Sequence, residues 1–352
     1  MRKQNASKPT GATISVGIDA GYGATKAVMA GADPVVFPSV YGYAVNIAYQ
    51  ADEIAKRYPG DQITDDGRDW FVGGLAMSQL REGELMRLRG RSGTADDVGV
   101  EARLRLIKAA LGKLLGAMAT NGDMVTIRLA TGLPVAHMRS TAIKALKNAL
   151  IGTHQIQTDV ANFMAYIHEV MVMPQPTGAL YSQQLTPAGH VNLGHVSKRS
   201  GVIDVGMYTI DNALDDDGEF LQQRSDSTEG GVYIVHQRIA DLLTEEMGDT
   251  PEYWQIEQVL RTGKLRIRGE ERDFTRQVRQ FCEALDTATL NLSTRLWGAG
   301  AGIDVIYLVG GGGSLVVERV QEVYPQATLV DDPQSSIARG YLNYAMLTAE
   351  TR

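Results

Sequence analysis

Cysteine is almost absent from this chain. Cys282 is the only one in 352 residues, so an internal disulfide or a cysteine-based zinc cluster is excluded. Nowhere do apolar residues run for the roughly eighteen positions that a membrane-crossing helix needs, so no membrane partner is expected. Residues 1–12 are polar and lack the apolar centre of a secretion signal; they are expected to form a disordered tail on a cytoplasmic protein. Net positive charge is missing too. Lys and Arg number 34 against 41 Asp and Glu, a balance of −7, which argues against direct nucleic-acid binding by the surface as a whole. The phosphate-loop pattern GxxxxGK[ST] is absent, no convincing GxGxxG precedes a ribose-binding acid, and no short-period repeat recurs. His137, His168 and His236 have no metal-ligand spacing and read as surface or packing residues.

What is present describes a globular chain, 44% hydrophobic and 21% charged, long enough for two lobes. Two basic clusters stand out: Arg81, Arg87, Arg89 and Arg91, and Arg261, Lys264, Arg266 and Arg268. They read as solvated faces or, alternatively, as a contact surface for an acidic partner or a neighbouring subunit.

Residues 14–18, 25–29 and 34–37 are short apolar runs parted by glycine-containing turns, which predicts an antiparallel meander. A polar, irregular stretch is expected up to about residue 68, then a strand at 70–73. Residues 98–119 have helical spacing, with Leu104, Ile107, Leu111 and Leu115 on one face. A buried strand is expected over 125–131, a helix over 135–150 with Pro134 in its first turn, a strand over 163–172 and a helix over 174–184. After a surface connection at 186–200, strands are expected at 201–206, 207–213 and 218–225, helices at 230–247 and 273–297, a buried strand at 304–309 and a last helix at 334–347. Strands followed by helices, given twice, predict a duplicated α/β architecture.

Two turns echo one another within this plan: Asp19-Ala20-Gly21-Tyr22-Gly23-Ala24-Thr25-Lys26 and Asp204-Val205-Gly206-Met207-Tyr208-Thr209-Ile210-Asp211. Each sets an Asp at a strand end and a Gly two residues later. Glycine lets backbone N–H groups approach phosphate oxygens without a Cβ in the way. A strand-end Asp can hold Mg²⁺ through its waters, and Lys26 offers a point charge to a phosphate. A third element, Leu308-Val309-Gly310-Gly311-Gly312-Gly313-Ser314, follows a strand directly and can lay backbone against a flat base or sugar.

In this order, the three elements resemble the signature of the actin, chaperone and sugar-kinase ATPase superfamily. Within it the chain is most similar to the plasmid-segregation actins of the ParM type and their archaeal relatives. Further pieces carry the likeness: Trp70-Phe71-Val72-Gly73-Gly74-Leu75-Ala76, Ala130-Thr131-Gly132-Leu133-Pro134, Met173-Pro174-Gln175-Pro176-Thr177-Gly178-Ala179 and Asp226-Ser227-Thr228-Glu229-Gly230-Gly231.

The resemblance implies a duplicated, actin-like (ribonuclease H-like) α/β fold with a nucleotide cleft between two lobes. Domain I would span 13–199, with a small subdomain at about 34–119; domain II would span 200–352, its last helix packing back toward domain I. It implies a slow ATPase using ATP, or GTP, with Mg²⁺, whose dynamic filament grows head to tail from copies of itself. A DNA-bound adaptor protein would link that filament to a plasmid. By position, Asp19 and Asp204 would order Mg²⁺, through water, and the attacking water; Gln175 would orient that water. Gly21, Tyr22, Gly23, Ala24, Thr25 and Lys26 would surround the phosphates from one side, and Gly206, Met207, Tyr208 and Thr209 from the other. Glu229, Gly230, Gly311, Gly312, Gly313 and Ser314 would border the ribose and base. Met207 and Tyr208 depart from the small residues usual in the second turn, and Tyr22 is similarly bulky. Rival readings on the same core are a small-molecule kinase, which needs a carboxylate base, and a non-polymerising nucleotide-dependent switch.

Overall fold

The computed structural model describes residues 12–88, 99–119, 122–138, 140–195 and 197–350. The expected tail before residue 12, and Arg89 and Arg91, lie outside the described residues.

β1 (Ile14–Ala20), β2 (Ala24–Met29) and β3 (Val35–Pro38) form the antiparallel meander that the spacing predicts. The stretch expected to be irregular is built instead: β4 (Val40–Tyr43), α1 (Ala51–Arg57) and β5 (Gln62–Asp65) precede β6 (Arg68–Val72). These strands are short and bury only a few positions each, so no apolar run marks them. α2 (Gly73–Gln79), β7 (Met86–Arg87), α3 (Val100–Leu115) and β8 (Met124–Leu133) follow.

The single helix expected over 135–150 is broken. A 3₁₀ turn at Val135–His137 comes first, and α4 (Ser140–Leu150) starts later. The cause is local capture: the Val135 N–H donates to Asp211 Oδ1 at 2.9 Å, and the Ala136 N–H to Ser227 Oγ at 3.0 Å. β9 (Gly152–Gln157) has no sequence signal; β10 (Asn162–Pro174) and α5 (Gln175–Gln184) lie where expected.

The second meander begins with β11 (Arg199–Val205) and β12 (Thr209–Asp216). The range expected as a strand at 218–225 holds only β13 (Glu219–Phe220) and a 3₁₀ turn; β14 (Asp226–Glu229) follows it, and both strands pair with β12. Next come α6 (Tyr233–Met247), α7 (Tyr253–Thr262), the hairpin β15 (Lys264–Ile267) and β16 (Glu270–Asp273), and α8 (Thr275–Trp297). β17 (Val305–Val309), α9 (Gly313–Val323), β18 (Ala327–Leu329) and α10 (Ser336–Glu350) complete the order.

The chain divides into two compact units. One holds the residues up to Leu133, His137–His195 and those from Ile337 onward; the other holds Pro134–Ala136 and Val196–Ser336. The first unit has a sheet ordered β3-β2-β1-β8-β10-β9 and a smaller one ordered β5-β6-β4-β7. The second has a sheet ordered β13-β12-β11-β17-β18. Each main sheet is therefore a meander whose first strand pairs in parallel with a later one, β1 with β8 and β11 with β17. That repetition is the duplication the sequence predicts.

Burial on both faces explains the near-continuous apolar runs of β1 and β11. α10 packs within the first unit, where Ala338 and Leu342 bury Val28, and Tyr344 stacks on Tyr181 with ring centroids 4.8 Å apart. Backbones approach closely there: a Cβ on Gly178 would collide with the Tyr341 ring and with the Ile337 carbonyl. No helix among the described residues is long and apolar enough to cross a membrane.

Candidate functional site

The first turn joins β1 to β2, and the register sets Asp19 opposite Lys26. Side chains directly opposite in an antiparallel pair share one face, and here they meet. Lys26 Nζ donates to Asp19 Oδ2 at 2.9 Å, and Gln175 Nε2, from the first residue of α5, donates to Asp19 Oδ1 at 2.8 Å. Asp19 is 1% exposed and Gln175 6%, so the carboxylate is held on both oxygens inside the first unit. Hydrogen bonds to charged groups at such sites are worth about 1.5–3 kcal/mol each. With its N–H₂ turned to Asp19, Gln175 keeps its carbonyl oxygen as an acceptor, the group that can orient a water by its hydrogen.

The carbonyls of this turn are captured from behind. Arg103 Nη1 donates to the Ala20 carbonyl at 2.5 Å, Ser39 Oγ to that of Gly21 at 2.5 Å, and the Ser39 N–H to that of Gly23 at 3.0 Å. A trans peptide points the next N–H the opposite way, so the amides of Gly21, Tyr22 and Ala24 face away from those donors. Glycine matters at Gly21, where a Cβ would come within 3.0 Å of the Ala24 carbonyl and 3.2 Å of Lys26 Nζ. The Thr25 side chain is fully buried, and its hydroxyl bonds Ser39 Oγ at 2.9 Å. Tyr22 is half-buried, its hydroxyl 3.3 Å from His137 Nδ1.

The second turn joins β11 to β12 within the second unit, and the register sets Asp204 opposite Asp211. Asp204 is 6% exposed. Asp211 is buried too, and accepts from the Val135 N–H and the Ser227 hydroxyl. The carbonyls of this turn are also captured, here by backbone at the start of α6. Val232 N–H donates to Gly206 at 3.0 Å, Tyr233 N–H to Met207 at 2.8 Å and Gly230 N–H to Tyr208 at 2.8 Å. The amides of Met207, Tyr208 and Thr209 therefore face the other way, and the bulk of Met207 and Tyr208 leaves that backbone direction unchanged. The Tyr208 ring lies beside Tyr233, centroids 4.8 Å apart.

The glycine run after β17 divides by position. Gly310 has φ +82°, and a Cβ there would collide with Asp204 Oδ1 and the Val205 carbonyl. On Gly312 a Cβ would come within 2.5 Å of Val232 and 2.6 Å of Val205, whereas on Gly311 it would meet nothing. Close approach to the end of β11 accounts for Gly310 and Gly312; Gly311 and Ser314 are exposed, and Gly313 is the first residue of α9. Glu229 ends β14 with its side chain exposed, and Gly230, with φ +128°, starts the turn into α6.

Asp19, Lys26 and Gln175 are thus brought together in the first unit, and Asp204, its turn and the glycine run in the second. Sequence reading missed Arg103, Ser39 and Asp211. Asp211 carries a signal, since it closes the second echo at the place Lys26 closes the first. Among the described residues no three His, Cys, Asp or Glu side chains gather to hold a metal by themselves. Asp19 and Asp204 are the buried carboxylates of the two turns, each within its own unit.

Comparisons with known proteins bear on the family and the fold. Residues 17–178 match the family model described as the N-terminal domain of actin-like proteins, and residues 202–322 the C-terminal, MreB-like domain of archaeal actin homologues. No curated protein matches the sequence. The structure is similar to a non-polymerisable quadruple mutant of pCBH ParM, with a TM-score of 0.71 and 24% identity over 95% of this chain and 99% of that one. It is similar to the 15-stranded ParM filament from Clostridium botulinum, with a TM-score of 0.73 and 23% identity over 95% and 99%. The archaeal actin homologue Ta0583 in complex with ADP gives a TM-score of 0.73 and 20% identity over 97% and 100%.

Proposed function

The chain belongs to the actin-like proteins, and on that premise we propose that it binds a Mg²⁺-nucleotide, hydrolyses it slowly and assembles head to tail into dynamic filaments. The observation that carries this reading is Asp19 held between Lys26 and Gln175 under a turn whose amides face outward. Asp19 and Asp204 would hold Mg²⁺ through its waters, and the ion would supply charge neutralisation to the phosphates. Lys26 places a cation against the phosphates, and the amides of Gly21, Tyr22 and Ala24 add donors. Gln175, fixed by Asp19, turns its carbonyl oxygen to a water. An amide cannot take a proton as a carboxylate can, so it positions rather than deprotonates, and turnover is slow. Asp204 acts from the second turn, where the amides of Met207, Tyr208 and Thr209 take further phosphate oxygens. Gly311 and Ser314 offer an open backbone face to the ribose and base.

Filament growth follows as a heterologous contact that repeats without closing. A ParM neighbour that is itself a filament and an archaeal neighbour that carries ADP support both halves of the reading. Segregation of a plasmid through a DNA-bound adaptor is the role we assign to the filament. The test is light scattering and negative-stain microscopy with Mg²⁺-ATP, Mg²⁺-GTP and ADP, alongside phosphate release. Filaments with triphosphate and their loss on hydrolysis are expected. Nucleotide binding without filaments at any protein concentration or crowding would leave a non-polymerising switch. Turnover that requires an added hydroxyl compound would make the protein a small-molecule kinase.

A further inference from the structure

Ser39 lies between the two sheets of the first unit. It follows β3, an edge strand of the main sheet, and precedes β4, a strand of the smaller one. It is fully buried, where a polar group costs free energy unless it is bonded. Each hydrogen-bonding group it carries is engaged. Its N–H donates to the Gly23 carbonyl at 3.0 Å, and its carbonyl accepts from the Leu88 N–H at 3.3 Å. Its hydroxyl lies 2.5 Å from the Gly21 carbonyl and 2.9 Å from the Thr25 hydroxyl.

The direction of that chain follows from the hydrogens available. A hydroxyl has one hydrogen to give. The Gly21 carbonyl can only accept, so the Ser39 hydrogen goes there and Thr25 donates to Ser39. Both side chains are fully buried, so bulk solvent does not compete for these hydrogens. A hydroxyl that accepts one hydrogen bond donates a stronger one. Ser39 therefore grips two carbonyls of the first turn, that of Gly21 through its side chain and that of Gly23 through its backbone. Across a trans peptide the next N–H points the other way, so Ser39 sets the direction of the Tyr22 and Ala24 amides.

We propose that Ser39, its hydrogen directed by Thr25, is a positioning residue that aims the Tyr22 and Ala24 amides at the phosphates of a nucleotide. This rests on the nucleotide-binding reading above. The Leu88 bond anchors Ser39 from the far side, so the amides are set before a ligand arrives and binding does not have to order them. The phosphate chain feels that aim and the nucleoside does not.

The experiment is titration calorimetry of the full chain with Mg²⁺-ATP, Mg²⁺-ADP and adenosine, with circular dichroism to check folding. The proteins are wild type, Ser39→Ala, Thr25→Val, Thr25→Ser and the double variant Ser39→Ala with Thr25→Val. Ser39→Ala releases the Gly21 carbonyl; it is expected to weaken ATP and ADP about tenfold, the contribution of about one hydrogen bond, and to leave adenosine unchanged. Thr25→Val keeps the shape of the side chain and removes its donor, which should weaken both nucleotides about threefold. Thr25→Ser keeps the donor and should recover that loss. The double variant should bind no worse than Ser39→Ala, because Thr25 then has no hydroxyl to direct. Losses that multiply in the double variant, equal loss of all three ligands in Ser39→Ala, or no loss there, overturn the proposal while nucleotide binding stands. If Ser39→Ala does not fold, the Thr25 pair decides: a loss in Thr25→Val that Thr25→Ser recovers supports the proposal, and the same affinities in both overturn it. A wild type that binds none of the three ligands overturns the nucleotide reading and this proposal with it.

Discussion

The turns after β1 and β11 are the same backbone device with opposite electrostatics. Each has three residues between antiparallel strands, an Asp one residue before the strand end, and a residue facing that Asp across the hairpin. In the first hairpin the facing residue is Lys26, which neutralises Asp19 at 2.9 Å. In the second it is Asp211, an acid beside an acid, held by the Val135 N–H and the Ser227 hydroxyl. Both turns have their carbonyls captured from behind, one by Arg103 and Ser39, the other by the start of α6. Shape has been kept and charge has diverged.

Removing the acid of the second turn should break the comparison most visibly. Asp204→Ala is expected to fold, to bind ADP within about threefold of wild type, and to slow phosphate release by about 100-fold or more, the loss typical of one preorganised electrostatic group. Unchanged turnover in a phosphate-release assay would detach the second turn from the chemistry. The glycine run sharpens the same point in stability. Gly310→Ala, with φ +82° and a Cβ driven into Asp204 and Val205, is expected to cost about 2–4 kcal/mol in denaturant unfolding. Gly311→Ala, which meets nothing, should cost well under about 1 kcal/mol. Equal losses at the two positions would mean that Gly310 does not lie against Asp204.

A further effect belongs to the first turn and is a matter of pH. Gln175→Glu replaces the amide that donates to Asp19 with a second carboxyl at hydrogen-bond distance. Like charges there favour the protonated form, so the introduced carboxyl has a folded-state pKa above its unfolded one. The folded protein then binds more protons, and stability falls as pH rises through that raised value. A loss of about 2 kcal/mol is expected at pH 8, shrinking by pH 5. Thermal melts at the two pH values check it; an equal loss at both would show that the carboxyl does not face Asp19.

Legibility in the sequence followed the physics of each element. The two meanders, α3, β10, α5 and α8 announced themselves because apolar runs or helical spacing recur where a strand or helix face is buried. β4, β5 and β9 did not, because each buries few residues and borrows its stability from neighbours. Residues 135–150 read as one helix because periodicity cannot see Asp211 and Ser227 taking the first two amides. At the site, Asp19, Lys26 and Asp204 were readable from an echo in spacing. Gln175 was readable only through resemblance, being 156 residues from Asp19. Arg103 was invisible: a charged residue in an amphipathic helix looks like its wet face until the fold buries it.

By itself, then, the sequence determined two strand–Asp–Gly hairpins, a third glycine turn and the helices that cover them, since local spacing and glycine placement act over a few residues. The tertiary structure alone decided that Lys26 and Gln175 both close on Asp19 and that Arg103 stands behind the first turn where α6 stands behind the second. It also assigned α10, last in the chain, to the first unit. Those outcomes depend on which distant groups share a desolvated space, and burial there makes a charge need a partner that spacing along the chain does not name.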